Sequence, residues 1–341
     1  MGHHMETVNS VISTIGWQGA KAVRTVYLAL LILSLLMTTL SGCGSSTEGK
    51  YTLNVYTRSD ACGAGEIWAK YLGNYTQEDL TGTGVYGDPG LAEAVKKDQL
   101  GIGYNNLNYV YDMATGEQIS GLRIIPIDLN ENGLIDTDED FYGNKTALTT
   151  AIATGRYPSP PSRDENLVTK NEFKGIIREF VRWVLTDGQK YCSEVGYVAL
   201  PEEKVENELA KLGDAEPGTE FKGEITISGA WALYPMMVKW TEEFQKVYPD
   251  IRFNLSAGGA GKGMADALAG MVDIGMVSRG IYPAEIEKGA FSVSVTKDAV
   301  VPVVNADNPA LEELLAKGIK RQTFADIWIA GNITDWRDVT R

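Results

Sequence analysis

The chain has 341 residues, 44% of them apolar, a formal net charge of −14 and an isoelectric point near 4.7. That apolar content suffices for two lobes with real cores, and the acidity argues against nucleic acid as a partner, because a phosphate backbone needs a basic surface. His3 and His4 are the two histidines, so mechanisms built on a histidine base or a histidine metal ligand lose their central residue. A small anion stays within reach, since one arginine and local dipoles act at contact distance while distant surface charge is screened over about 8–10 Å.

In chain order, Lys21 and Arg24 precede an apolar run, Val26 to Leu40, interrupted by Ser34, Thr38 and Thr39. The run is short for a membrane span and reads as the core of a secretory signal. It ends in Leu40-Ser41-Gly42-Cys43, which is similar to the lipoprotein box in which the cysteine is lipidated and becomes the first residue. This assigns 1–43 to a lipoprotein signal peptide and 44–50 to a linker, with Cys43 anchoring the body to the outer face of the membrane or in the periplasm. An uncleaved anchor gives the same topology. Cys62 and Cys192 remain, either as a pair or as two free thiols.

A strand is predicted over 51–58, then a small-residue turn through Ala61, Cys62, Gly63, Ala64 and Gly65, then a helix over 62–72. Small residues at a helix start expose unpaired amides, the helix dipole favours an anion there, and Arg58 adds a two-pronged donor. An ordinary turn with a surface Arg58–Asp60 pair explains the same stretch. A loop over 82–90, a helix over 91–97, and strands over 100–104 and 122–127 follow.

Asp128 to Glu139 matches the calcium-loop pattern: Asp128, Asn130 and Asn132 offer side-chain oxygens, Gly133 turns the chain, Leu134 lends a carbonyl, and Asp136 and Glu139 complete the shell. A strand precedes it, so the expectation is an isolated structural Ca2+ loop rather than a sensor, and an acidic solvated turn is the alternative.

A proline-rich segment over 157–161 leads to an amphipathic helix with Ile176, Ile177, Phe180, Val181, Val184 and Leu185 on one face, and a charged helix ends at Leu212. Residues 213–221 have linker composition. A second series then begins: strand 224–228, helix 236–247, strand 251–255, and the glycine-rich turn Ser256 to Gly263 opening another helix, followed by a strand over 272–279 that ends in Ser278 and Arg279. The turn shares the anion logic of the first. It is no magnesium–nucleotide loop, because Gly263 follows Lys262 where a hydroxyl residue is needed.

Taken together, Arg58-Ser-Asp60, Gly101-Ile-Gly-Tyr104, Gly188-Gln, Val195-Gly-Tyr-Val198, Ser228-Gly-Ala-Trp-Ala-Leu-Tyr-Pro235, Ser256-Ala-Gly-Gly259, Val272-Asp-Ile-Gly275, Ser278-Arg279, Phe324-Ala-Asp-Ile-Trp328 and Gly331-Asn-Ile-Thr-Asp-Trp336 resemble the periplasmic phosphate-binding proteins, the substrate-binding lipoproteins of phosphate ABC importers. The resemblance covers nearly everything from Tyr51 to Arg341. It implies an α/β, two-lobed periplasmic-binding-protein fold of type II, each lobe a mixed sheet flanked by helices, with the ligand in the hinge cleft. The order of the motifs is that of a circular permutant: the family's second half (51–212) precedes its first (222–341). Lobe A is then 222–302 plus 156–212, lobe B is 303–341 plus 51–155, and 213–221 joins the family's usual ends.

Carried over residue by residue, the resemblance implies phosphate ligands at Leu233, Tyr234, Ser256, Ser278, Arg279, Arg58, Cys62, Gly63 and Ala64, with Asp60 orienting Arg58. Leu233, Cys62 and Ala64 depart from the family's usual residues, and no aspartate stands near Ser278 to accept the ligand's proton. Sulfate, molybdate or tungstate are therefore alternative ligands, and a calcium-stabilised surface or signalling lipoprotein is the alternative class. Permease subunits of an importer are the implied partners. No catalytic role is expected, since Cys62 has no base beside it.

Overall fold

The structure, a computed structural model, describes residues 51–213 and 221–339. The signal segment with Cys43, the linker 44–50 and residues 214–220 of the 213–221 linker lie outside the described residues. Among the described residues no helix is long and apolar enough to cross a membrane.

Strand β1 (Asn54–Arg58) starts later than predicted, because Thr52 instead forms a single antiparallel bridge with Asp335. Leu53 N donates to Thr334 O and Trp336 N to Tyr51 O, each at 2.8 Å. The beginning of the described body thus pairs with a segment only a few residues from the chain's end.

Helix α1 (Gly63–Gly73) follows β1, then β2 (Thr83–Val85) and α2 (Gly87–Lys97). Helix α2 begins four residues before the predicted start: Gly87 turns the chain at φ +72°, and Asp88-Pro89 supplies an acidic residue and a proline to the first turn, where both are favoured. Strands β3 (Gly101–Asn106) and β4 (Leu122–Ile124), helix α3 (Lys145–Ala153), β5 (Ser162–Lys170), α4 (Gly175–Leu185) and α5 (Glu202–Leu212) complete the first series. The second comprises β6 (Gly223–Gly229), α6 (Tyr234–Val247), β7 (Ile251–Ala257), α7 (Ala260–Ala269), β8 (Ile274–Val277), α8 (Pro283–Glu287) and β9 (Ala290–Asn305).

All nine of these strands join one sheet in the order β2-β1-β3-β9-β5-β8-β6-β7, with β4 also on β9. Pairs β1–β2, β1–β3, β6–β7 and β6–β8 are parallel, while β9 runs antiparallel to β3, β4 and β5. Two apolar cores flank the sheet. One holds Trp68, Tyr104, Phe324, Trp328 and Trp336 and draws on residues up to Tyr157 and from Ala299 onward. The other holds Phe180, Trp183, Trp240 and Phe244 and spans Leu167 to Val295. Strands β5 and β9 cross from one core to the other and join the two lobes of the mixed sheet.

Candidate functional site

Arg58 is the last residue of β1, and its side chain is 1% exposed. Its Nε and Nη2 donate to the Asp60 carboxylate at 2.8 and 2.5 Å, and its Nη1 to Asp88 Oδ2 at 2.5 Å. Three of five guanidinium donors are so committed, which leaves two for a ligand. Burial opposes the charge, but Asp88 and Asp60 outweigh it and hold Arg58 firmly protonated. Both carboxylates are themselves satisfied: Asp60 Oδ1 accepts from Gly87 N at 3.1 Å, and Asp88 Oδ1 from Asn106 N and Nδ2 at 3.2 and 2.8 Å.

The turn after Arg58 is braced by Gln77, which accepts from Cys62 N at 2.9 Å and donates to Asp60 O at 2.6 Å. Cys62 is the N-cap of α1, its Sγ accepting from Gly65 N at 3.2 Å. That leaves the amides of Gly63 and Ala64 as first-turn donors with no intrahelical acceptor. Burial pushes the Cys62 thiol up to about 12, so it stays protonated and is a poor nucleophile. Cys62 and Cys192 are free, buried thiols in separate cores.

The second glycine-rich turn closes on the first. A Cβ on Gly63 would stand 2.1 Å from Ser278 Oγ, and one on Gly259 would stand 2.6 Å from Ala61 O and 2.9 Å from Asp60 Oδ2. Gly261 N donates to Ala61 O at 3.1 Å. Only glycine permits this approach. Arg58, Asp60, Cys62, Gly63, Ala64 and Ser278 are therefore gathered in one buried place, whereas Ser256 lies exposed on the edge strand β7.

Three expected ligands are otherwise engaged. Leu233 N donates to Ala230 O at 3.3 Å and Tyr234 N to Trp231 O, because Trp231–Leu233 form a 3₁₀ turn that consumes those amides. The Arg279 guanidinium is bidentate with Glu285, at 2.7 and 3.0 Å, and sits 4.1 Å over the Tyr282 ring. Arg279 thus braces α8 onto the end of β8, with its Nη atoms committed to Glu285.

Asp88, Asn106 and Arg163 were not singled out from sequence. Arg163 Nε donates to Ser278 O at 3.3 Å and its Nη2 to Asn106 Oδ1, so these residues form a shell behind the gathered side chains. The acidic residue ahead of Pro89 was the available sign of a helix start.

In the loop 128–139 the oxygens turn onto the loop's own donors. Asp128 accepts from Asn132 N and Gly133 N, Glu139 from Leu129 N, Asn130 N and Asp136 N, and Asp136 from the Asn130 and Asn132 amides. Leu134 N donates to Asn132 Oδ1. Among the described residues no three histidine, cysteine or acidic side chains cluster as metal ligands.

Residues 214–341 match the periplasmic-binding-protein superfamily domain. The chain is 27% identical over 329 residues to the phosphate-binding protein PstS 2 of Streptococcus agalactiae, covering 92% of this chain and 98% of that relative. It is 31% identical over 127 residues to the phosphate-binding protein PstS of Xylella fastidiosa, covering 36% and 33%. The crystal structure of a phosphate-binding protein of a phosphate ABC transporter from Streptococcus pneumoniae superposes with a TM-score of 0.55 at 20% identity, over 84% of this chain and 99% of that one. The segment 214–341 thus carries a periplasmic-binding-protein superfamily domain. The relatives that the chain resembles along its length are phosphate-binding proteins.

Proposed function

We propose that the protein captures inorganic phosphate outside the cytoplasm and delivers it to an ABC importer. The observation that carries this is the apposition of two glycine-lined turns, Gly63 against Ser278 and Gly259 against Ala61, around a buried arginine with two uncommitted donors. Such a place offers backbone amides, a hydroxyl and a guanidinium to a tetrahedral anion and excludes water as the lobes close. Asp88 Oδ2 accepts only from Arg58, which leaves it acceptor capacity for an oxyanion that carries a proton and favours phosphate over sulfate.

Isothermal titration of residues 44–341 with phosphate, sulfate and molybdate is the test. Micromolar or tighter phosphate binding supports the reading; sulfate or molybdate binding alone would transfer the site to those anions. In this reading Cys43 carries the lipid anchor, and mass spectrometry of the membrane fraction should find it acylated. The 128–139 loop is read as a structural Ca2+ site, expected to raise the melting temperature in calcium relative to chelator; an unchanged melting temperature makes it an acidic turn.

The pairing of Tyr51–Leu53 with Thr334–Trp336 supports a permuted order of halves. A chain rebuilt as 222–341 followed directly by 51–212 should fold to comparable stability, and failure of that rearranged chain to fold would remove the permutation.

A further inference from the structure

The apolar cores leave a gap in both crossing strands: residues 158–166 and 296–298 belong to neither. Arg163, Glu165 and Asp298 occupy that gap. Glu165 and Asp298 are fully buried, and the register sets Arg163 opposite Asp298 and Glu165 opposite Thr296. Arg163 Nη2 lies 3.1 Å from Glu165 Oε1 and Nη1 lies 3.6 Å from Asp298 Oδ2. Yet both Glu165 oxygens, Asp298 Oδ2 and Arg163 Nη1 lack any hydrogen bond.

Two buried carboxylates sharing one cation and so few donors are costly when both are ionised. One proton on the pair removes the excess charge and supplies a donor. Burial is the main influence in this direction, raising both Glu165 and Asp298 above the usual carboxylate range against the opposing pull of Arg163. The other charged or titratable groups that face the pair are Asp164 from β5, Asp88 from α2, and the hydroxyls of Tyr109 and Tyr197. On the neighbouring helices, Glu208 pairs with Lys211 and Asp266 with Lys262.

The pair is wired to the anion place. Arg163 holds Ser278 O and Asn106, Asn106 holds Asp88, and Asp88 holds Arg58. We infer that Glu165 and Asp298 form a proton acceptor coupled to the anion site, so that an anion arriving between Arg58 and Ser278 draws one proton from solvent onto the pair. A negative charge brought near a buried carboxyl pair favours its protonated form, and by linkage the proton favours the anion. This rests on the anion reading above.

The test has two arms. Titration of the protein with phosphate at pH 8, in two buffers of different ionisation enthalpy, counts protons taken up. The expected count is higher for the unaltered protein than for Asp298→Asn or Glu165→Gln, phosphate's own titration cancelling in the difference; equal counts overturn the inference. The second arm needs no ligand. A carboxyl raised in the folded state stabilises fully below its unfolded value, near 4, and that stability is lost as pH rises through the folded value. The melting temperature should therefore fall between pH 5 and pH 8, less steeply in either variant. A flat profile in the unaltered protein overturns the proton-holding pair, whereas silence toward phosphate alongside a falling profile locates the failure in the anion reading and in the coupling.

Discussion

Two arginines in this molecule each face two buried carboxylates, and they are resolved in opposite ways. Around Arg58, every oxygen of Asp60 and Asp88 receives a hydrogen bond. Around Arg163, three oxygens of Glu165 and Asp298 receive none. The difference lies in the backbone that carries them. Arg58 sits where β1 ends in a turn, and the start of α2 and the end of β3 point free amides at Asp60 and Asp88. Strands β5 and β9 spend their amides on each other across a nine-residue register, so side chains between them must find partners elsewhere. The first cluster keeps its charges satisfied by fixed donors; the second can relieve its charge by taking a proton.

The largest expected effect is that of Arg58→Ala. It strands two carboxylates, and stability in urea should fall by about 3–5 kcal/mol together with loss of anion binding. Arg163→Met breaks the same kind of contact, but Glu165 and Asp298 can protonate, so much of its loss should return at pH 5. Equal pH dependence for the two variants would erase the contrast. Gly63→Ala comes next. The added methyl meets Ser278 but suits helix α1, so the open lobes should fold normally while closure suffers. Overpacking of about 1–3 kcal/mol corresponds to roughly 5- to 150-fold in Kd; unchanged phosphate affinity would mean the turns need not meet.

Much of this was legible in sequence, and for a physical reason. Turns that precede helices announce themselves through small residues: Asp60, Gly63 and Gly259 lie in or beside such turns, and Arg58 and Ser278 stand at the ends of β1 and β8. The crossing strands do not announce themselves. Ser162-Arg-Asp-Glu-Asn166 carries no apolar residue, and Pro302 inside β9 argues against a central strand, yet Ser162, Arg163, Glu165, Asn166 and Pro302 lie buried within the sheet. Asp88 was hidden for another reason: its partner is 30 residues away, and no local period links them. Leu233, Tyr234 and Arg279 show the converse. Their motif was visible, but which amides a 3₁₀ turn consumes, and that Glu285 captures a guanidinium, are tertiary facts.

The smallest effect sharpens the contrast between lobes through their thiols. Cys62 caps α1 beside Arg58, and Cys192 lies against Thr296 in the other core, 3.6 Å from its hydroxyl. Burial raises the first to about 12 and the second to about 11, so at pH 8 both are thiols and neither should react quickly with iodoacetamide until urea unfolds the chain. Cys62→Ser replaces one N-cap with a stronger one, and stability should change by no more than about 1 kcal/mol. Phosphate separates the two positions. It should slow residual labelling of Cys62, which lies within the closing turns, and leave Cys192 indifferent. Equal protection of both would mean that the ligand tightens the whole molecule rather than closing these turns, and the site would lose its address.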